Sequence, residues 1–187
     1  GFQVLCAPAE EATRAARRTA FLECHRWRFR LPSLRPLVTE GVFAVGACPM
    51  RVAFGCDHAG VPLRGAVLKV LQALGLDVLD FGTFDTGSVD YCLFAEPVAQ
   101  AVAKGDAELG ILVCGTGVGM AISANKVPGV FAAHASDCYT ARMAREHNAA
   151  NVLTLGARVV GAGVAEEIVR AFVTTEPSSE ERHERRR

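Results

Sequence analysis

The run Leu109-Gly110-Ile111-Leu112-Val113-Cys114-Gly115-Thr116-Gly117-Val118-Gly119-Met120 decides the fold. Its first half is apolar without alternation, as a strand reads when both faces of its sheet are buried. Its second half places three glycines in five residues. Such a turn can aim backbone N–H groups at an anion where a helix begins. Four more runs of the strand kind end at glycine or a polar turn: Arg51–Gly55, Asp77–Gly82, Val130–Ala133 and Asn151–Gly156. Between the runs lie stretches with helical spacing. Leu63, Val67, Val70, Leu71 and Leu74 form one apolar stripe, Phe94, Val98 and Val102 a second, and Val164, Ile168, Val169, Phe172 and Val173 a third. Strands alternating with helices predict an α/β fold, a three-layer αβα, Rossmann-like domain with a five-stranded parallel sheet.

Composition bounds the rest. The 187 residues carry 20 basic and 20 acidic side chains, and half are hydrophobic. That is enough for one domain with a real core and about 50 residues besides. High apolar content with no net charge excludes disorder for the bulk of the chain. It also excludes a whole-chain basic field, so no nucleic-acid partner is expected. No apolar run approaches the roughly 18 residues of a membrane span, so no membrane partner is expected. Seven cysteines without a CxxC pair argue against a disulfide scaffold or a zinc ribbon, and for a reducing, cytoplasmic compartment.

Charge divides the chain near residue 50. Residues 1–50 hold seven Arg, no Lys and four Glu, a net of +3, whereas residues 51–187 are net −3. The first segment has one plausible short helix, Ala9 to Cys24, and is read as a weakly ordered extension. A transit sequence and a functional basic arm remain open alternatives. Met50 stands immediately before the first strand, at a possible start position. The domain proper is expected over residues 51–187.

Ligands of parallel α/β sheets bind beyond the carboxyl ends of the strands. Four places there draw notice. Gly55-Cys56-Asp57-His58-Ala59-Gly60 follows the first strand. Asp57 and His58 suit acid–base work or substrate hydroxyls, or else Asp57 caps the helix and His58 is a surface residue. Cys114 opens the glycine turn, where a helix N-terminus favours a thiolate; it reads equally as a small buried hydrophobe. Arg145-Glu146-His147-Asn148 is either a satisfied helix end or an imidazole beside an amide that reads hydroxyls. Arg158, Arg182 and Arg186 suit a phosphate, the last two sharing a face if helical; the bland alternative is a solvated charge run.

Together these stretches resemble one family. Phe54 to Gly60, Ser88-Val89-Asp90-Tyr91, Cys114 to Met120, Ala124-Asn125-Lys126-Val127-Pro128-Gly129, Arg145 to Asn148 and Arg182-His183 stand in the order and spacing of type B ribose-5-phosphate isomerases, a group that includes galactose-6-phosphate isomerase subunits. The resemblance runs from Arg51 to Arg187. Cys92 departs from it where the family usually has Pro, and the chain stops at Arg187 where relatives run several residues further.

The resemblance implies an aldose–ketose isomerase of the pentose phosphate pathway that interconverts ribose 5-phosphate and ribulose 5-phosphate through an enediolate. It implies Cys114 as the base, since Met120 stands where other members place a carboxylate. Thr116 and the N–H groups of Gly115, Gly117, Val118 and Gly119 would stabilise the enediolate, and His147 would open the sugar ring. Asp57, His58 and Asn148 would contact the sugar, and Arg158, Arg182 and Arg186 the phosphate. No metal or organic cofactor is implied. A homodimer or tetramer is expected, with the site shared between subunits. Another sugar phosphate (of allose, galactose or a tetrose) and a non-catalytic sugar-phosphate-binding subunit are the alternatives.

Overall fold

A computed structural model describes residues 49–186. The expectations for residues 1–48, among them the helix from Ala9 to Cys24 and the order of the extension, lie outside these residues. The described chain alternates strand and helix: β1 (Arg51–Cys56), α1 (Val61–Ala73), β2 (Asp77–Asp80), α2 (Cys92–Lys104), β3 (Leu109–Cys114), α3 (Val118–Ala124), β4 (Ala132–His134), α4 (Cys138–Asn148), β5 (Val152–Gly156), α5 (Ala162–Val173) and α6 (Glu181–Glu184). The five strands form one parallel sheet in the order β2-β1-β3-β5-β4. Every residue of β3 and of β5 is buried, which is why their runs do not alternate; Thr154 of β5 is their one polar side chain.

Two apolar layers cover the sheet. Val52, Phe54, Ile111 and Leu153 face the layer of α1, α4 and α5, whereas Ala53, Leu112 and Val152 face α2 and α3. Close packing of α2 requires a glycine on β1. A Cβ at Gly55 would lie 2.9 Å from both the Phe94 carbonyl oxygen and a Val98 methyl. Cys92, where the resemblance leads one to expect proline, is the first residue of α2. A proline is tolerated there because the first N–H of a helix has no intrahelical acceptor, so the helix starts equally well with cysteine.

β1 and β5 differ from their expected spans by one residue each, and larger differences lie elsewhere. The strand expected over Val130–Ala133 is β4, Ala132–His134. Gly129 turns the chain at φ 87°, and the Val130 N–H donates to the Val127 carbonyl at 3.2 Å, so Val130 fills the core from a turn. The strand expected over Asp77–Gly82 ends at Asp80, although the Phe81 N–H still donates to the Phe54 carbonyl at 2.8 Å. On α5 the apolar stripe runs through Ala165, Ile168, Val169, Phe172 and Val173; Val164 is 48% exposed. No helix among the described residues is long and apolar enough to cross a membrane.

Candidate active site

After β1 the chain turns outward to β2, then returns past β1 to β3. The gap beyond the ends of β1 and β3 is therefore a topological switch point, where parallel sheets hold ligands. A cleft of about 240 Å³ opens there, lined by Asp57, His58, Ala59, Tyr91, Cys114, Gly115, Thr116, Gly119 and Arg158. Its walls join to each other: the Asp57 N–H donates to the Val113 carbonyl at 3.2 Å, and the Arg158 N–H to the Gly115 carbonyl at 3.0 Å.

Cys114 ends β3 at 5% exposure, and its sulfur accepts the Gly117 N–H at 3.1 Å. The contact sets a backbone donor on the sulfur where α3 begins. The turn that supplies this donor needs glycine. Gly117 has φ 82°, and a Cβ on it would lie 2.5 Å from Nδ1 of His134. The five turn N–H groups are not equivalent. That of Gly117 points at the sulfur, and that of Val118 lies 3.4 Å from Thr116 Oγ1. Gly119 stands in the first turn of α3, where N–H groups lack intrahelical acceptors. Met120 is fully buried and fills the core beneath α3.

Asp57 holds a turn and also lines the cleft. Its Oδ1 accepts the N–H groups of Ala59 and Gly60 at 2.9 Å each, holding the turn into α1, while the residue lines the cleft at 4% exposure. His58 is half-buried, and its Nδ1 accepts the Val89 N–H at 3.2 Å. The other ring nitrogen, Nε2, is then the donor of a neutral imidazole. The neighbouring strand-end cysteine, Cys56, is sealed in the core. Burial pushes its thiol pKa up, against the opposing pull of Arg64, which is paired with Asp80.

The remaining predicted residues gather elsewhere. His147, Asn148 and Arg186 line a second cleft of about 280 Å³ with Asn125, Phe131, Ala132, Ala133 and Ala150. This cleft sits at the end of α4, whose start is held by Asp137: its carboxylate accepts from the Thr140 hydroxyl and N–H at 2.7 Å each, contacts that lower its pKa. The first turn of α3 lines one cleft and its C-cap, Asn125, lines the other. Seven residues of helix separate them, about 10 Å at 1.5 Å per residue. The three arginines are likewise divided. Arg158 lies with Cys114 and Arg186 with His147, whereas Arg182 lines neither cleft and its Nε donates to Glu180 Oε2 at 2.6 Å.

Four residues near the clefts carried no role in the sequence reading. Tyr91 packs its ring on Gly119, Asn125 ties α3 to both backbone groups of Ala132, His134 lies beneath Gly117, and His183 packs on His147. Tyr91, Asn125 and His183 lie within the quoted stretches, so chain order was their only signal; His134 had none. Among the described residues, no group of three or more His, Cys, Asp or Glu is gathered to hold a metal ion.

Comparison with known proteins bears on the whole arrangement. The sequence model described as Ribose/Galactose Isomerase matches residues 52–187. Ribose-5-phosphate isomerase B of Escherichia coli (strain K12) is 46% identical over 123 residues, 66% of this chain and 83% of that protein. D-erythrulose-4-phosphate isomerase of Pectobacterium atrosepticum is 42% identical over 128 residues, 68% of this chain and 84% of that protein. The structure of Trypanosoma brucei type B ribose 5-phosphate isomerase superimposes with a TM-score of 0.72 at 45% identity, covering 74% of this chain and 95% of that one. With nearly all of the α/β domain matched in sequence and in fold, the chain belongs to the Ribose/Galactose Isomerase family.

Proposed function

We propose that the chain is an aldose–ketose isomerase acting on ribose 5-phosphate, with Cys114 as the base that moves the proton between C2 and C1. The observation that carries this reading is the Cys114 sulfur, seated at the switch point and accepting the Gly117 N–H at 3.1 Å. The thiolate takes the C2 proton of the open-chain aldose, and the electrons of that C–H bond form the C1–C2 double bond of an enediolate. A proton passes from O2 to O1, and the thiol returns its own proton to C1, giving the ketose. The Thr116 hydroxyl and the first-turn N–H of Gly119 stabilise the oxyanion. Asp57 and His58 hold sugar hydroxyls, His58 through its Nε2–H.

Ring opening is assigned to His147 and phosphate binding to the arginines, with Asn148 on a hydroxyl. Arg158 already lines the first cleft, whereas His147, Asn148, Arg182 and Arg186 complete it only if a second copy of the chain supplies them. Exposed apolar side chains support such pairing. Tyr91 lines the first cleft, Phe131 the second, and Val118 and Ile122 lie exposed on α3 between them. Exposed apolar side chains at both clefts and on the helix between them suit an interface that a two-fold pair would cover on both copies.

The substrate is tested with a panel of ribose, allose, galactose and erythrose phosphates on the purified full chain. The highest kcat/KM is expected with ribose 5-phosphate. A rate on ribose 5-phosphate well below another member of the panel would overturn that choice, and no turnover of any member would mark a binding subunit.

A further inference from the structure

The last turn of α4, which carries His147, is gripped residue by residue from the C-terminal segment. The Arg145 Nε–H donates to the Thr175 carbonyl at 3.3 Å, and the Glu146 carbonyl accepts the Ser178 N–H at 2.8 Å. The His147 carbonyl lies 3.3 Å from Nδ1 of His183. Carbonyls at a helix end have no intrahelical donor, so these contacts cap α4. His183 is the one buried side chain of α6, 5% exposed within the charged run Glu180 to Arg186. Its ring stands on the His147 ring, centroids 4.4 Å apart at 60°. A carbonyl only accepts, so Nδ1 of His183 carries a hydrogen toward it. Nε2 is buried without a hydrogen-bond partner among the described residues, with Glu180 Oε2 3.8 Å away. A buried imidazole nitrogen without a hydrogen bond is costly, and a leucine would fill the same space more cheaply.

We propose that His183 is a positioning residue for His147. Its Nδ1–H fixes the end of α4, and its ring edge restricts the His147 imidazole to the rotamer that faces the second cleft. His183 itself never touches the sugar. The proposal rests on the reading of His147 as the ring-opening group, and it makes that group's aim depend on the final turn of the chain.

The test uses His183→Leu and His183→Asn in the full chain, with melting temperatures measured alongside. Turnover of ribose 5-phosphate, mostly a closed ring, passes the ring step in either direction, whereas exchange of the ribulose 5-phosphate C1 hydrogen with D2O needs only the proton transfer. His183→Leu is expected to lower kcat/KM about tenfold in both directions, as the fixed equilibrium constant requires, and the exchange rate less than twofold. His183→Asn, which keeps a donor for the His147 carbonyl, recovers part of the loss. In a His147→Ala background His183→Leu costs nothing further. Equal losses of turnover and of C1-hydrogen exchange, or losses that add to those of His147→Ala, overturn the proposal. Proton NMR separates it from the role of His147. If His147→Ala slows turnover and C1-hydrogen exchange equally, the ring-opening reading fails, yet in the single His183 variants the His147 ring resonances still shift and broaden. Unchanged His147 resonances in either folded variant overturn the positioning role whatever His147 does.

Discussion

The two clefts are built by different means. The Cys114 cleft is made of strand ends: β1 and β3 are pinned in register, glycines bring the backbone close, and its key sulfur is 5% exposed. The His147 cleft is made of side chains at the end of α4, and its aim depends on a C-terminal segment that contacts Arg145, Glu146 and His147 in turn. A backbone-built site is fixed by sheet topology and survives most surface change. A side-chain-built site is held by a few hydrogen bonds of about 1 kcal/mol each, so it can be tuned or lost without disturbing the fold. Proton abstraction requires the first kind of precision. Ring opening and phosphate capture are assigned to the second.

The largest effect that would sharpen this contrast is at Cys114. Cys114→Ser is expected to keep the melting temperature and lower kcat by 10²–10⁴-fold, because a hydroxyl is a far weaker base near neutral pH. Iodoacetamide should label Cys114 with protection by substrate and spare Cys56, whose thiol is buried and held protonated. Inactivation with the label elsewhere would break the assignment; peptide mass mapping reads it.

The next effects lie in the second cleft. Arg186→Ala is expected to raise KM about tenfold to a hundredfold with a smaller change in kcat, since a charge-assisted contact is worth roughly 1.5–3 kcal/mol and phosphate is held equally in ground and transition states. Arg182→Ala should raise KM less, about threefold to tenfold, because binding exchanges one anion for another at a surface pair. Glu180→Gln then lowers KM a few-fold. An unchanged KM for both arginine variants would leave the terminal run a solvated charge cluster.

The smallest effect is on stability alone. Ala149 follows His147 and Asn148 at φ 49°, a left-handed conformation that costs L-residues about 1–2 kcal/mol. Ala149→Gly is expected to raise stability by at most about 1 kcal/mol, since glycine gives back unfolded-state entropy. A lowered denaturant midpoint would show that the turn is relaxed.

Much of this was legible in the sequence, and the reasons are physical. A strand buried on both faces leaves an uninterrupted apolar run, so β1, β3 and β5 could be read to within a residue. An apolar run does not distinguish strand from turn, so Val130 was drawn into β4. The Cys114 cleft was legible because parallel sheets bind at strand ends and Asp57, His58, Cys114 and Arg158 all follow strands. Its partition from His147, Asn148 and Arg186 was not, because spacing along a chain carries no distance between helix ends. Nor was the burial of His183 visible inside a run of charges.

The claim that both clefts serve one site across two copies has a direct measurement. Cys114→Ser and His147→Ala chains, each nearly inactive alone, are co-expressed with different tags and the mixed pairs are purified. In a shared site, one of the two sites of each mixed pair carries both substitutions and the other carries neither. Mixed pairs should therefore recover about half the wild-type kcat from ribose 5-phosphate, and a statistical mixture about a quarter. Purified mixed pairs no more active than either parent would contradict a site built from two chains.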